Sequence, residues 1–182
     1  MRSGAVALVF LAAAAACGDP DFVANAEDQR RLDVLMADPV YADLAGPMRC
    51  EASLAHYVPA GGGVLDVGAM QHNQVECVPA AASAAGGPAV RDLTAGLIGL
   101  AEGAGWQPSM FLSTFEFRRR IGGVWASMSL RTGPGTLTVT RSMPPHTGDG
   151  SGPGPSQVAA GRACLDHVRA KAPPTDACSL AR

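Results

Sequence analysis

An apolar run that ends on a cysteine sets the terms for everything after it. Residues 1–17 read MRSGAVALVFLAAAAAC, with one charge at Arg2, an apolar stretch from Ala5 to Ala16, and then Cys17. This is the layout of a secretory signal peptide. A helix over the apolar stretch spans roughly 18 Å at 1.5 Å per residue, well short of the ~30 Å of a bilayer core, so residues 1–16 are read as an export signal and not as a membrane span. Export delivers the remaining chain to an oxidising compartment, where disulfides form and persist.

The cleavage region Ala14-Ala15-Ala16-Cys17-Gly18 resembles a bacterial lipobox, in which small residues precede a cysteine that is acylated before cleavage. It departs from that pattern in having Ala14 where leucine is usual, and an A-x-A arrangement also suits general signal peptidase. Parity favours acylation. The five cysteines are Cys17, Cys50, Cys77, Cys164 and Cys178, and a lipid on Cys17 leaves four, enough for two disulfides. Three pairings of those four are open. The neighbouring pairs Cys50–Cys77 and Cys164–Cys178 are expected; the latter closes a loop of about 15 residues, for which chain entropy gives about 3 kcal/mol. A lipid on Cys17 makes residues 17–28 a tether and residues 29–182 one exported domain, attached to the outer face of the cell membrane.

Composition narrows the partners without naming one. The formal charge is −2 with 14 basic and 16 acidic residues, and loss of Arg2 with the signal leaves about −3. Such a chain lacks the basic footprint of a nucleic-acid binder, and no nucleic acid is expected. Gly 22 and Pro 14 supply many turns, too aperiodic for a fibrous protein.

The mature chain reads as α+β. Glu27–Leu44 carries Leu32, Leu35 and Met36 at helical spacing until Pro39, giving an N-terminal helical segment. Residues 69–78 read as a half-polar strand with Val75 and Cys77 on one face. The main helix follows from Pro88, its apolar face formed by Val90, Leu93, Leu97, Leu100, Ala101 and Ala104, with Gly105 as its stop. After it come MFLSTFEFRRRI, VWASMSLR and TLTVTRSM, joined at Gly122-Gly123 and Gly133-Pro134-Gly135. These predict an antiparallel meander that packs, as a three- to four-stranded sheet, against the one main helix. In it Phe111, Phe115, Phe117 and Ile121 share a face, as do Val124, Ala126, Met128 and Leu130. Residues 143–156 are a loop or linker, and a C-terminal helix runs from Ser156 to Lys171.

Catalytic patterns are scarce. The four histidines, His56, His72, His146 and His167, show no ligand spacing, so no metal and no cofactor is expected. Gly61-Gly62-Gly63 leads into neither a Lys-Ser/Thr ending nor a GxGxxG spacing, and no G-x-S-x-G occurs. Arg118-Arg119-Arg120 is the one charge run; it suits an anionic surface, each charge adding ~1 kcal/mol near anionic lipid, or serves a strand end as protection against edge pairing.

The AAAC-G site, the helix ending Ala104-Gly105-Trp106 and the hairpin RRRIGGVWASMSLRTGPGTLTVT together resemble small exported actinobacterial lipoproteins, a family without an assigned activity. The resemblance covers residues 1–18 and 88–143 and implies location and general shape; it carries over no catalytic residue. The expectation is therefore a membrane-anchored, non-enzymatic envelope protein that binds another envelope protein or a wall component. The alternative is an envelope hydrolase or small-ligand carrier with a site near His72, Glu76 and Trp125.

Overall fold

A computed structural model describes residues 22–40, 48–59, 68–79, 88–111, 114–133, 136–170 and 178. The expected signal segment, Cys17, Gly61-Gly62-Gly63 and the double proline at 173–174 lie outside the described residues. The order is α1 (Ala26–Ala37), β1 (Met48–Ser53), β2 (His56–Val58), β3 (Ala69–Gln71), β4 (Asn73–Pro79), α2 (Pro88–Gly103), β5 (Gln107–Phe111), β6 (Thr114–Ile121), β7 (Val124–Gly133), β8 (Thr136–Met143) and α3 (Pro155–Arg169). The fold is α+β. Its main sheet has six antiparallel strands in the order β1-β4-β8-β7-β6-β5, and β2 with β3 form a separate ribbon. The expected three- to four-stranded sheet is thus only part of it, while the N-terminal, main and C-terminal helices expected are all present as α1, α2 and α3.

Why the sheet is larger is visible in its register. The β6–β7 hairpin turns on Gly122 and Gly123, with φ of +59° and +90°. Two consecutive positive φ values suit the primed two-residue turns that match strand twist. MFLSTFEFRRRI, expected as one strand, is two. Met110 and Phe111 belong to β5, and Phe111 pairs with Thr114 of β6. Phe111 is therefore an exposed strand end, while Phe115 and Phe117 are fully buried in an edge-to-face contact at 5.1 Å and 89°. β5 contains Pro108, which fits an edge strand because proline donates nothing to a ladder. On the other side, residues 69–78 split at His72 into β3 and β4, and β4 joins β8 to β1.

One face of the sheet is the core. Val75, Cys77, Phe115, Phe117, Ala126, Met128, Leu130, Leu137, Val139 and Met143 form it, with Leu32 and Leu35 of α1 and Leu97, Ile98 and Ala101 of α2. Each large side chain so buried contributes about 1.5–3 kcal/mol. Among the described side chains of α2 the buried ones are Thr94, Leu97, Ile98 and Ala101, whereas Leu100, expected inside, is 39% exposed; the side chains of Val90 and Leu93, also expected inside, lie outside the described residues. In α1, Met36 is likewise outside at 38%. α2 ends in a complete Schellman motif: the Trp106 N–H donates to the Ala101 carbonyl and the Gly105 N–H to the Glu102 carbonyl, both at 2.9 Å. This directs Trp106 into the core, where it is 2% exposed.

α3 covers the β5 edge, burying Gly161, Cys164 and Leu165. The helix approaches so closely that a Cβ on Gly161 would stand 2.4 Å from the Ser109 nitrogen. Two disulfides complete the frame. Cys50–Cys77 joins directly opposed residues of β1 and β4, and Cys164–Cys178 ties the chain end to α3.

Candidate functional site

Strand periodicity explains the first polar feature of the core. Along β8, Leu137, Val139, Arg141 and Met143 point inward, so a guanidinium lies among apolar side chains, and Arg141 is 0% exposed. It donates to the Leu35 carbonyl, lies 3.5 Å from an Asp38 oxygen, and stacks 5.9 Å from the centre of the Trp106 ring. The other Asp38 oxygen accepts from Arg119 at 2.8 Å. Two inward arginines thus share one carboxylate placed just past the end of α1.

The start of α1 carries the second feature. The Asn25 side chain accepts the Glu27 and Asp28 N–H groups, and the Asp28 carboxylate accepts the Asn25 N–H at 3.0 Å, which is a capping box. Asp28 is 0% exposed and fills its remaining acceptor positions from distant chain. Asn73 and the His146 backbone N–H each donate at 2.9 Å to one oxygen, and the His146 ring N–H donates at 2.5 Å to the other. Burial pushes the Asp28 carboxyl up, but these hydrogen bonds outweigh it and lower the pKa from 3.8 to about 2. The adjacent Arg31 donates to the carbonyls of Pro144, Pro145 and Gly148 at 3.1, 2.8 and 2.5 Å.

These contacts make one latch. α1 crosses the inner face from β4, where Asp28 meets Asn73, to β6, where Asp38 meets Arg119, and holds the segment after β8 as it passes. An aspartate behind a histidine is also the orienting pair of many hydrolases. Here, among the described residues, no hydroxyl or thiol is hydrogen-bonded to His146; its ring stacks instead on Phe22 at 5.2 Å. The pair positions backbone. The 143–156 segment continues over the outer face, where the Trp125 N–H donates to the Asp149 carbonyl at 2.9 Å and Arg118 donates to the Ser151 carbonyl. Gly152 lies against the Trp125 ring. The segment expected as a loop or linker is a loop, packed as a strap.

The outer face itself is polar. Ser127, Ser129, Thr138, Thr140 and Ser142 form hydroxyl rows on β7 and β8, all half-buried, with Ser127 and Ser142 joined at 2.8 Å. The described helices send their buried side chains to the opposite, inner face. Beside the rows, Glu116 lies 3.7 Å from Arg118; burial pushes its carboxyl up while Arg118 opposes the shift. Partial loss of hydration, and secondarily the Arg118 charge, hold the surface-lying His72 below the ordinary histidine value.

The residues singled out in the sequence fall as follows. Alternation divides the arginine run: Arg118 and Arg120 are outward, and Arg119 is inward on Asp38. Of His72, Glu76 and Trp125, His72 lies within the field of Arg118, Trp125 is under the strap, and Glu76 is exposed opposite Thr140. No hydrogen bond or ion pair joins these three among the described residues. An open groove of about 480 Å³ between α2, β5 and α3 includes Glu102, Trp106, Arg162 and Arg169. Its Arg169 is already paired with Glu102. Asp28, Asn73 and Arg141 escaped the sequence reading; for Arg141 the signal was its place in an alternating apolar row. Searches against protein families, curated proteins and solved structures find no match to this chain.

Proposed function

We propose that this chain is an exported protein fixed to the outer face of the cell membrane by a lipid on Cys17, and that it binds an envelope protein or wall component without chemical turnover. The observation that carries the binding half is the outer sheet face. Its hydroxyl rows donate and accept hydrogen bonds, its flanks carry Glu116 and Arg118, and none of the described helices packs its apolar stripe there. A polar surface with both kinds of hydrogen-bonding group suits a hydrated partner. The anchoring half is supported by the signal segment and by the two disulfides, which fit an oxidising compartment.

The test has two arms. Cys17→Ala is expected to move the protein from the membrane fraction to the soluble fraction, and its retention in membranes would contradict a lipid anchor. A photo-crosslinking residue at Ser129, on the outer face, is expected to capture a discrete envelope partner in intact cells, whereas one at Arg162, on α3, captures none. Equal yields at both positions, or none at either, would refute the outer face as the binding surface.

A further inference from the structure

We infer that one end of the β-sheet rests against the bilayer, so that the domain is mounted close to the membrane in a fixed orientation; this rests on the lipid-anchored reading above. Only Gly18 to Asp21, four residues, separate Cys17 from Phe22. At most ~3.5 Å per residue, the five steps from Cys17 to Phe22 span about 17 Å. Phe22 is no part of a free leash, because its ring stacks on His146, which is bonded to the buried Asp28. The tether expected over residues 17–28 therefore shrinks to a few residues. With the acyl chains in the bilayer core and roughly 6 Å of headgroup region above them, Phe22 stands no more than about 11 Å above the headgroups, and α1 begins four residues farther on.

What stands at that end fits a lipid surface. Val23, next to the stacked Phe22, is 76% exposed, the largest exposure among the large apolar side chains described. The sheet register brings further groups to the same end. Asn73 begins β4 opposite Met143, the last residue of β8. β7 begins there with Val124 and Trp125, opposite Ile121 and Arg120 at the end of β6. Arg120 is exposed and outward, beside the strap that crosses Trp125. An exposed apolar side chain and an exposed cation, the guanidinium of which also donates to the Gly123 carbonyl, are groups that favour an anionic interface near a lipid-linked residue. Asp149 is also at this end, 3.7 Å from Arg31, which offsets part of its charge. With this end down, the strands rise from the membrane and the hydroxyl-bearing outer face looks sideways into the envelope.

The experiment uses the full lipidated chain in vesicles of phosphatidylglycerol and phosphatidylethanolamine that contain a headgroup-bound quencher. The natural cysteines are acylated or paired in this account, so an added cysteine takes a fluorophore selectively. Two variants carry it, Val23→Cys and Arg131→Cys, the latter exposed near the opposite end of β7. The expected result is co-flotation of both variants, with quenching several-fold stronger at position 23 than at 131. Co-flotation with equal quenching, or with stronger quenching at 131, overturns the mounting while leaving the anchor intact. Failure of both variants to float removes the anchor and, with it, the mounting.

Discussion

Asp28 shows how one side chain can join sequence-distant chain. Its carboxylate is the partner of the helix cap, of Asn73 45 residues away and of His146 118 residues away. A folded pKa of about 2 against 3.8 for the free group is a stability term. The folded value is the lower one, so the stabilisation is complete above about pH 4 and is lost as pH falls toward 2, below both values. A shift of this size corresponds to about 2 kcal/mol. Asp28→Asn should therefore lower unfolding stability by about 2 kcal/mol at pH 6 and flatten its decline between pH 4 and 2, as measured by urea denaturation at both pH values. An unchanged acid profile would show that this carboxylate does not hold the latch. Asp28 was not legible from the sequence because a capping aspartate looks the same whether or not distant donors meet it. Arg141 was legible in principle, since alternation along TLTVTRSM puts it inside. Its charge argued for the surface, and the Asp38 carboxylate and Leu35 carbonyl brought by α1, with the Trp106 ring, help to make the inward position tolerable.

At the scale of elements, local rules were reliable and pairing rules were not. The hairpin at Gly122-Gly123, the helix stop at Gly105 and the inward rows of β7 and β8 follow from period and turn chemistry, and all are present. β5 was hidden by Pro108 and by its continuity with β6 in sequence, and the place of β1 and β4 in the main sheet depends on long-range pairing that no local pattern encodes. The α3–β5 contact makes the clearest element-level prediction. Alanine in place of a helical glycine ordinarily gains up to ~1 kcal/mol, yet at Gly161 the new Cβ would meet the Ser109 backbone. The steric effect dominates, and Gly161→Ala should cost about 2 kcal/mol in thermal or chemical unfolding. A stabilised variant would mean that α3 does not seat on this edge. The Cys50–Cys77 bridge staples the edge strand β1 across a separation of 27 residues. Replacing both cysteines with alanine should cost about 3.5 kcal/mol in the chain-entropy description, measured against the oxidised parent. A loss below ~1 kcal/mol would show that β1 is held by its ladder and packing alone.

For the whole molecule, the parts divide into an inner face that holds the fold together and an outer face that is left to the surroundings. The inner face spends its polar groups on latches: Asp28, Arg31, Asp38 and Arg141 all serve α1 or the strap it grips. The outer face keeps its hydroxyls for a partner in the proposed role. No helix among the described residues is long and apolar enough to cross a membrane. The outer face was not legible in the sequence, because it is assembled from β6, β7 and β8 with a strap across them, and that arrangement appears only in the fold. The central claim is tested most directly by the mass of the N-terminal proteolytic peptide from protein extracted from membranes. The predicted peptide begins at Cys17 and carries the added mass of a diacylglyceryl group. A peptide beginning at an unmodified Cys17 or farther along the chain, recovered from the soluble fraction, would contradict it.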